Sequence, residues 1–187
     1  MESMGHTRRL IPLAMVPFLT FLQIHQIRRL KIQTMIALKR ILLVEDDRKD
    51  VELTLEALSE YNLANEVVVA RDGEEALDYL YRRGKFQAVA EGNPAAILLD
   101  LKLPKVNGLE VLGQIRADEK LKMIPVIVLT SSRQEEDLKK CYQLGVNSYV
   151  VKPVDFHEFI NAVKGLGVFW GLINEPPPGS IGKAVRK

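Results

Sequence analysis

Four short runs of strand-forming residues in this 187-residue chain each end on side chains able to do chemistry. Ile41–Val44 leads into Glu45 and Asp46, Ala96–Leu99 into Asp100, Val126–Leu129 into Thr130, and Ser148–Val151 into Lys152. Three carboxylates brought together repel, and each raises the others' pKa unless a cation lies among them. Oxygen ligands favour a hard divalent ion. Mg2+ suits such a set, because it needs only one or two protein carboxylates, keeps several waters and pairs with substrate phosphate. A carboxylate can attack phosphorus in line and form an acyl phosphate when a metal and an ammonium stabilise the equatorial oxygens. Asp100 is placed for the nucleophile and Lys152 for the ammonium. The Thr130 hydroxyl can donate to a phosphate oxygen afterwards and draw its loop inward.

A repeated strand-then-helix plan is what brings these groups together. Ile41–Val44 is too short for a helix and continuous enough for a strand buried on both faces. Beyond Asp46 and Asp47, the three- and four-residue steps between Val51, Leu55 and Leu58 predict a first helix ending near Tyr61. A β-branched second strand over Glu66–Ala70 precedes the acid-rich helix start Asp72, Gly73, Glu74, with Ala76, Leu77 and Leu80 inward and Gly84 closing the helix. After a longer connection, Ala96–Leu99 forms the third strand, and Gly108 opens a helix with Leu109, Leu112 and Ile115 on one side. Pro125 introduces the fourth strand. The fourth helix runs from about Gln134 to Leu144 with Gly145 as its left-handed cap, and a final helix from Asp155 follows the fifth strand. This alternation predicts an α/β fold, a doubly wound five-stranded parallel sheet with helices on both faces, whose ligand crevice lies at the carboxyl ends of the strands.

Composition sets the boundaries. With 47% hydrophobic and 27% charged residues the body is that of a folded globular protein. Met1–Arg40 holds seven Lys/Arg against Glu2, leaving 19 basic and 23 acidic residues in the remainder, which gives no broad basic footprint for nucleic acid. Leu10–Leu22 is uncharged for 13 residues, short of the roughly 20 a spanning helix needs. Pro12 and Pro17 also interrupt it, and no small-residue cleavage site follows. Residues 1–38 are therefore expected to be an extension without a stable fold, with Met35 as the functional start, and residues 39–172 to form the domain. Residues 173–187, containing Pro176, Pro177 and Pro178, are expected to be a frayed Pro-rich tail. A single cysteine, Cys141, excludes an internal disulfide and fits a reducing cytoplasm, and its apolar surroundings suggest a buried, inert thiol.

The segments ILLVEDD, ILLDLKLPKVNG, VIVLTSS and YVVKP, in this order and at these spacings, resemble the response-regulator receiver family of CheY-like proteins over about Lys39–Gly167. The long connection before the third strand further resembles regulators paired with bacterial phytochrome-type histidine kinases. The resemblance implies the flavodoxin-like strand order 2-1-3-4-5 and a role in two-component signalling. It implies that Asp100 accepts a phosphoryl group from a kinase histidine, and that the protein catalyses only its own phosphorylation and dephosphorylation. It also implies that Asp46 and Asp100 bind Mg2+ directly, with the backbone carbonyl of Lys102 completing the protein ligands and Glu45 acting through water. Lys152 would pair with the phosphoryl group, Thr130 and Tyr149 would form the switch, and Pro153 would follow a cis peptide bond. Signalling would run through the surface around the fourth helix, fifth strand and fifth helix, including contact with a second copy. Two other functions compete. A flavin-binding electron carrier shares the sheet order, but Glu45 and Asp46 would repel a flavin phosphate. A membrane-tethered adaptor would use Leu10–Leu22 as its anchor.

Overall fold

Side-chain alternation along the strands sorts the core into two layers. The computed structural model describes residues 39–60, 67–89 and 92–180. Its strands are β1 (Ile41–Val44), β2 (Val67–Ala70), β3 (Ala96–Leu99), β4 (Val126–Thr130) and β5 (Ser148–Val151), all parallel and ordered β2-β1-β3-β4-β5. The helices are α1 (Arg48–Ser59), α2 (Gly73–Tyr81), α3 (Gly108–Ala117), α4 (Glu135–Gln143) and α5 (Phe156–Val168). Leu42, Val44, Ile97, Leu99, Val126 and Val128 point to one face and pack with Ala76, Leu77 and Leu80 of α2, Val111, Leu112 and Ile115 of α3, and Cys141 of α4. Ile41, Leu43, Ala96, Leu98 and Ile127 point to the other, against Val51 and Leu55 of α1, Leu166 of α5 and Trp170. Beside them Leu129 joins Ala57 and Leu58 of α1 to Phe159 and Val163 of α5. A period of two in a strand places every second residue on one face, and burial on both faces explains why β1, β3 and β4 read as unbroken apolar runs. The predicted doubly wound sheet is the observed one.

Local chemistry sets the helix starts. Asp47 caps α1 by accepting from the N–H groups of Lys49 and Asp50, Asp72 caps α2 from Glu75, and Asp155 caps α5 from His157 and Glu158. Asn107 and Glu110 form a reciprocal capping box at α3. One helix end differs from the sequence reading. The second helix closes at Arg82, in left-handed backbone at φ 57°, not at Gly84, which opens a short 3-10 turn over Gly84–Phe86. The Arg82 guanidinium donates to the carbonyls of Tyr79 and Gly92 and lies over the Tyr79 ring, which ties the side chain down at that turn.

The chain beyond α5 also departs from expectation. A wide helical turn over Phe169–Ile173 carries Trp170 onto the sheet, and residues 174–180 pack back instead of fraying. Lys39 Nζ donates to the Asn174 carbonyl at 2.5 Å, and the Asn93 N–H donates to the Gly179 carbonyl at 3.0 Å. Pro176 and Ser180 are buried. Prolines forbid a helix here, but they leave few backbone donors to satisfy, so a short strap can lie on the body with its polar anchors supplied from elsewhere. The expectations for residues 1–38, Leu10–Leu22 included, and for residues 181–187 lie outside the described residues. No helix among the described residues is long and apolar enough to cross a membrane.

Candidate functional site

Parallel pairing in register brings the carboxyl ends of β1, β3, β4 and β5 to one edge, and with them the reactive side chains. The Asp100 N–H donates to the Val44 carbonyl at 3.0 Å, and the Lys152 N–H to the Thr130 carbonyl at 2.8 Å, so backbone bonds continue one step past the strands. Carboxylate oxygens of Glu45, Asp46 and Asp100 lie within 4.8 Å of one another. Glu45 and Asp100 are buried, and Asp46 faces solvent.

Lys152 is the hub. Its ammonium donates to Glu45 Oε2 at 2.6 Å, Asp50 Oδ2 at 2.8 Å and Asp100 Oδ2 at 3.0 Å. Asp100 Oδ1 is held separately, accepting from the N–H groups of Leu101 at 2.6 Å and Lys102 at 3.3 Å. One oxygen of Asp100 is thereby fixed by backbone, and the other faces the ammonium. Sequence reasoning missed Asp50. Its signal is its place in the first turn of α1, four residues after Asp46 and directly behind the Asp47 cap.

Burial pushes the Glu45 carboxyl up to about 7; the Lys152 ammonium opposes the shift, while Asp100 and Asp50 add to it. Burial pulls Lys152 down, but its bonds to Asp50 and Glu45 outweigh that and hold it above the ordinary lysine value. Four carboxylates against one ammonium leave the crevice strongly negative. An all-oxygen donor set with that excess fits a hard divalent cation. It does not fit the phosphate of a flavin.

Thr130 is fully buried, and its Oγ1 accepts from the Ser132 N–H at 3.3 Å. Tyr149 is half-buried on β5 and donates from its hydroxyl to the Ser132 carbonyl at 3.1 Å, while the Ser132 hydroxyl donates to Asp137 Oδ2 at 2.6 Å. Thr130 and Tyr149 thus meet at Ser132 on the β4–α4 connection. Lys102 is exposed at the β3–α3 connection. The cis bond expected before Pro153 is not found: every peptide bond among the described residues is trans. An X–Pro bond intrinsically prefers trans by about 0.5–1 kcal/mol, and with the trans bond Lys152 already reaches its three carboxylates. Beside the site, an open groove of about 320 Å³ is lined by Leu53, Ser131, Val154, Phe156 and Phe159 among others. Val154 and Phe156 stand exposed on it.

Known proteins share this fold. The response regulator receiver domain family matches residues 41–164. Response regulator Rcp1 of Synechocystis sp. is 40% identical over 132 residues, covering 71% of this chain and 88% of its own. Its Mn2+-bound crystal structure superposes with a TM-score of 0.70 at 39% identity, over 74% of this chain and 99% of that one. The bacteriophytochrome response regulator RtBRR is 64% identical with a TM-score of 0.60, over 76% of this chain and 86% of that one. The phosphorylated cyanobacterial phytochrome response regulator RcpA is 44% identical with a TM-score of 0.68, over 72% and 94%. The family match over most of the domain, the strand order and the acidic crevice agree: this chain belongs to the response-regulator receiver family of two-component signalling.

Proposed function

We propose that Asp100 is the phosphoacceptor of this response regulator and that its donor is a histidine kinase of the phytochrome type. The observation that carries this reading is Asp100 itself, with Oδ1 tied to two backbone N–H groups and Oδ2 directed at Lys152 beside Glu45 and Asp46. In the reaction, Asp100 Oδ2 forms a bond to phosphorus as the bond between phosphorus and the kinase imidazole nitrogen breaks, and the imidazole leaves with its electron pair. Lys152 holds the nucleophile in place beforehand and neutralises a phosphoryl oxygen afterwards. Asp46, Asp100 and the Lys102 carbonyl would hold Mg2+ directly, with Glu45 acting through water; the bound ion would supply neutralisation of phosphoryl charge. The relatives named for phytochromes support the kinase class, and the Mn2+-bound relative supports a divalent ion.

Once Asp100 is modified, Thr130 turns toward the phosphoryl oxygens and draws on the β4–α4 connection, whose Ser132 carbonyl is held by Tyr149. The surface of α4, β5 and α5 then changes its partners, a second copy among them, and the protein works in the cytoplasm. The exposed apolar side chains Val154 and Phe156 beside the acceptor suit docking of a protein partner. The test is incubation with acetyl phosphate or a phytochrome-type kinase and Mg2+. An acid-stable, hydroxylamine-sensitive label absent from Asp100→Asn supports the reading, and a label that persists in that variant refutes it.

A further inference from the structure

Lys105, in the middle of the β3–α3 connection, has φ 62°, a left-handed conformation shared among non-glycine described residues only with Arg82. A Cβ-bearing residue is disfavoured there relative to glycine, so a lysine needs an account from its side chain. That side chain crosses to the head of α2, where Nζ lies 2.8 Å from Asp72 Oδ2 and 3.0 Å from Glu74 Oε2. Asp72 uses its other oxygen, Oδ1, to cap α2 by accepting from the Glu75 N–H at 2.7 Å. One carboxylate therefore joins the helix cap to the loop.

The backbones approach closely at the same place. A Cβ on Gly73 would stand 2.0 Å from the Val106 carbonyl oxygen, and one on Gly108 would stand 2.1 Å from the Asp100 carbonyl oxygen. The Gly108 N–H donates to the Leu101 carbonyl at 2.9 Å. The connection is pressed against α2 in its middle and closes on Asp100 at its end, with Lys102 between.

We infer that Lys105 is a positioning residue: by clamping the β3–α3 connection to the head of α2, it holds the Lys102 carbonyl and the Asp100 carboxylate in place for a divalent cation. This rests on the cation site proposed above. Mg2+ demands near-ideal octahedral ligands, so a small drift of one carbonyl weakens binding, and groups that orient metal ligands affect affinity without touching the ion. The opposite expectation follows if Lys105 is only a nearby positive charge, because removing it would then raise cation affinity.

The test measures Mn2+ affinity of the full chain from the electron paramagnetic resonance signal of free Mn2+, together with the urea midpoint, for the unaltered chain, Lys105→Gly, Lys105→Gln and Asp46→Asn. Lys105→Gly is expected to bind about fivefold more weakly, less than the 10–100-fold typical of an outer-shell partner because the clamp is half-exposed. Its urea midpoint is expected to stay level or rise, since glycine suits the backbone there. Lys105→Gln keeps the stem without the charge and is expected to weaken binding at least as much. Unchanged or tighter binding by Lys105→Gly would overturn the inference, and so would a fall in midpoint alongside affinity, which would mean general loosening. If Asp46→Asn bound as well as the unaltered chain, the cation reading itself would fall and the inference with it.

Discussion

Glu45 makes the stability of this protein depend on pH in a direction opposite to that of most carboxylates. Its folded carboxyl is raised from an ordinary 4.5 to about 7, chiefly by burial. Between these values the unfolded chain releases the proton and the folded chain keeps it, so stability falls as pH rises from 4.5 and is fully reduced above 7. At about 1.4 kcal/mol per pH unit the loss is about 3 kcal/mol. Glu45→Gln carries no such proton, so the difference between the two proteins reports this group together with the Lys152, Asp50 and Asp100 charges coupled to it, free of the titrations elsewhere in the chain. The assay is urea unfolding at pH 5 and pH 8 in EDTA, followed by circular dichroism and the fluorescence of the single Trp170. With a urea dependence of about 2 kcal/mol per molar, and part of the loss already incurred at pH 5, the midpoint of the unaltered chain should fall by about 1.2 M relative to Glu45→Gln between the two pH values. Mg2+ should restore the unaltered chain at pH 8, because the ion favours the ionised carboxyl and binds only the folded state. Parallel pH dependence in the two proteins would refute the reasoning.

Three further outcomes follow from the packing. Lys152→Ala leaves Glu45 and Asp100 buried without their cation and should cost about 3–5 kcal/mol at pH 8 in EDTA by denaturant unfolding, with part of the loss recovered in Mg2+. Arg116 donates to the carbonyls of Gly145, Lys122 and Ile124 and to the Asn147 side chain, joining the end of α3 to the turn before β5; Arg116→Ala should destabilise by about 2 kcal/mol in the same assay. Cys141 is fully buried, and burial pushes its thiol up to about 11. It should therefore react with a thiol reagent at pH 8 only as fast as the protein opens, and rapid modification of the native chain would contradict its placement.

Much of the fold was legible because the buried parallel strands leave a plain mark: β1, β3 and β4 are apolar without interruption, and the helices between them repeat at three and four residues. Legible too were Glu45, Asp46, Asp100, Thr130 and Lys152, because each follows a strand directly and parallel register must gather them at one edge. Asp50 was not, since a carboxylate in the first turn of a helix is explained equally well by the helix dipole. Nor was the packing of residues 174–180, whose anchors are a lysine and an asparagine distant in sequence. The bond before Pro153 and the left-handed Lys105 escaped for a related reason: each is settled by tertiary contacts that local sequence does not encode.

Phosphoryl transfer to residue 100 underlies every functional role proposed for the crevice. Reductive trapping with tritiated borohydride tests it directly, because an acyl phosphate is reduced to an alcohol at the modified side chain and peptide mapping then locates the tritium. After incubation with acetyl phosphate and Mg2+, label should be confined to the peptide containing Asp100. Label at another carboxylate, or label at Asp100 that appears equally without acetyl phosphate, would contradict it.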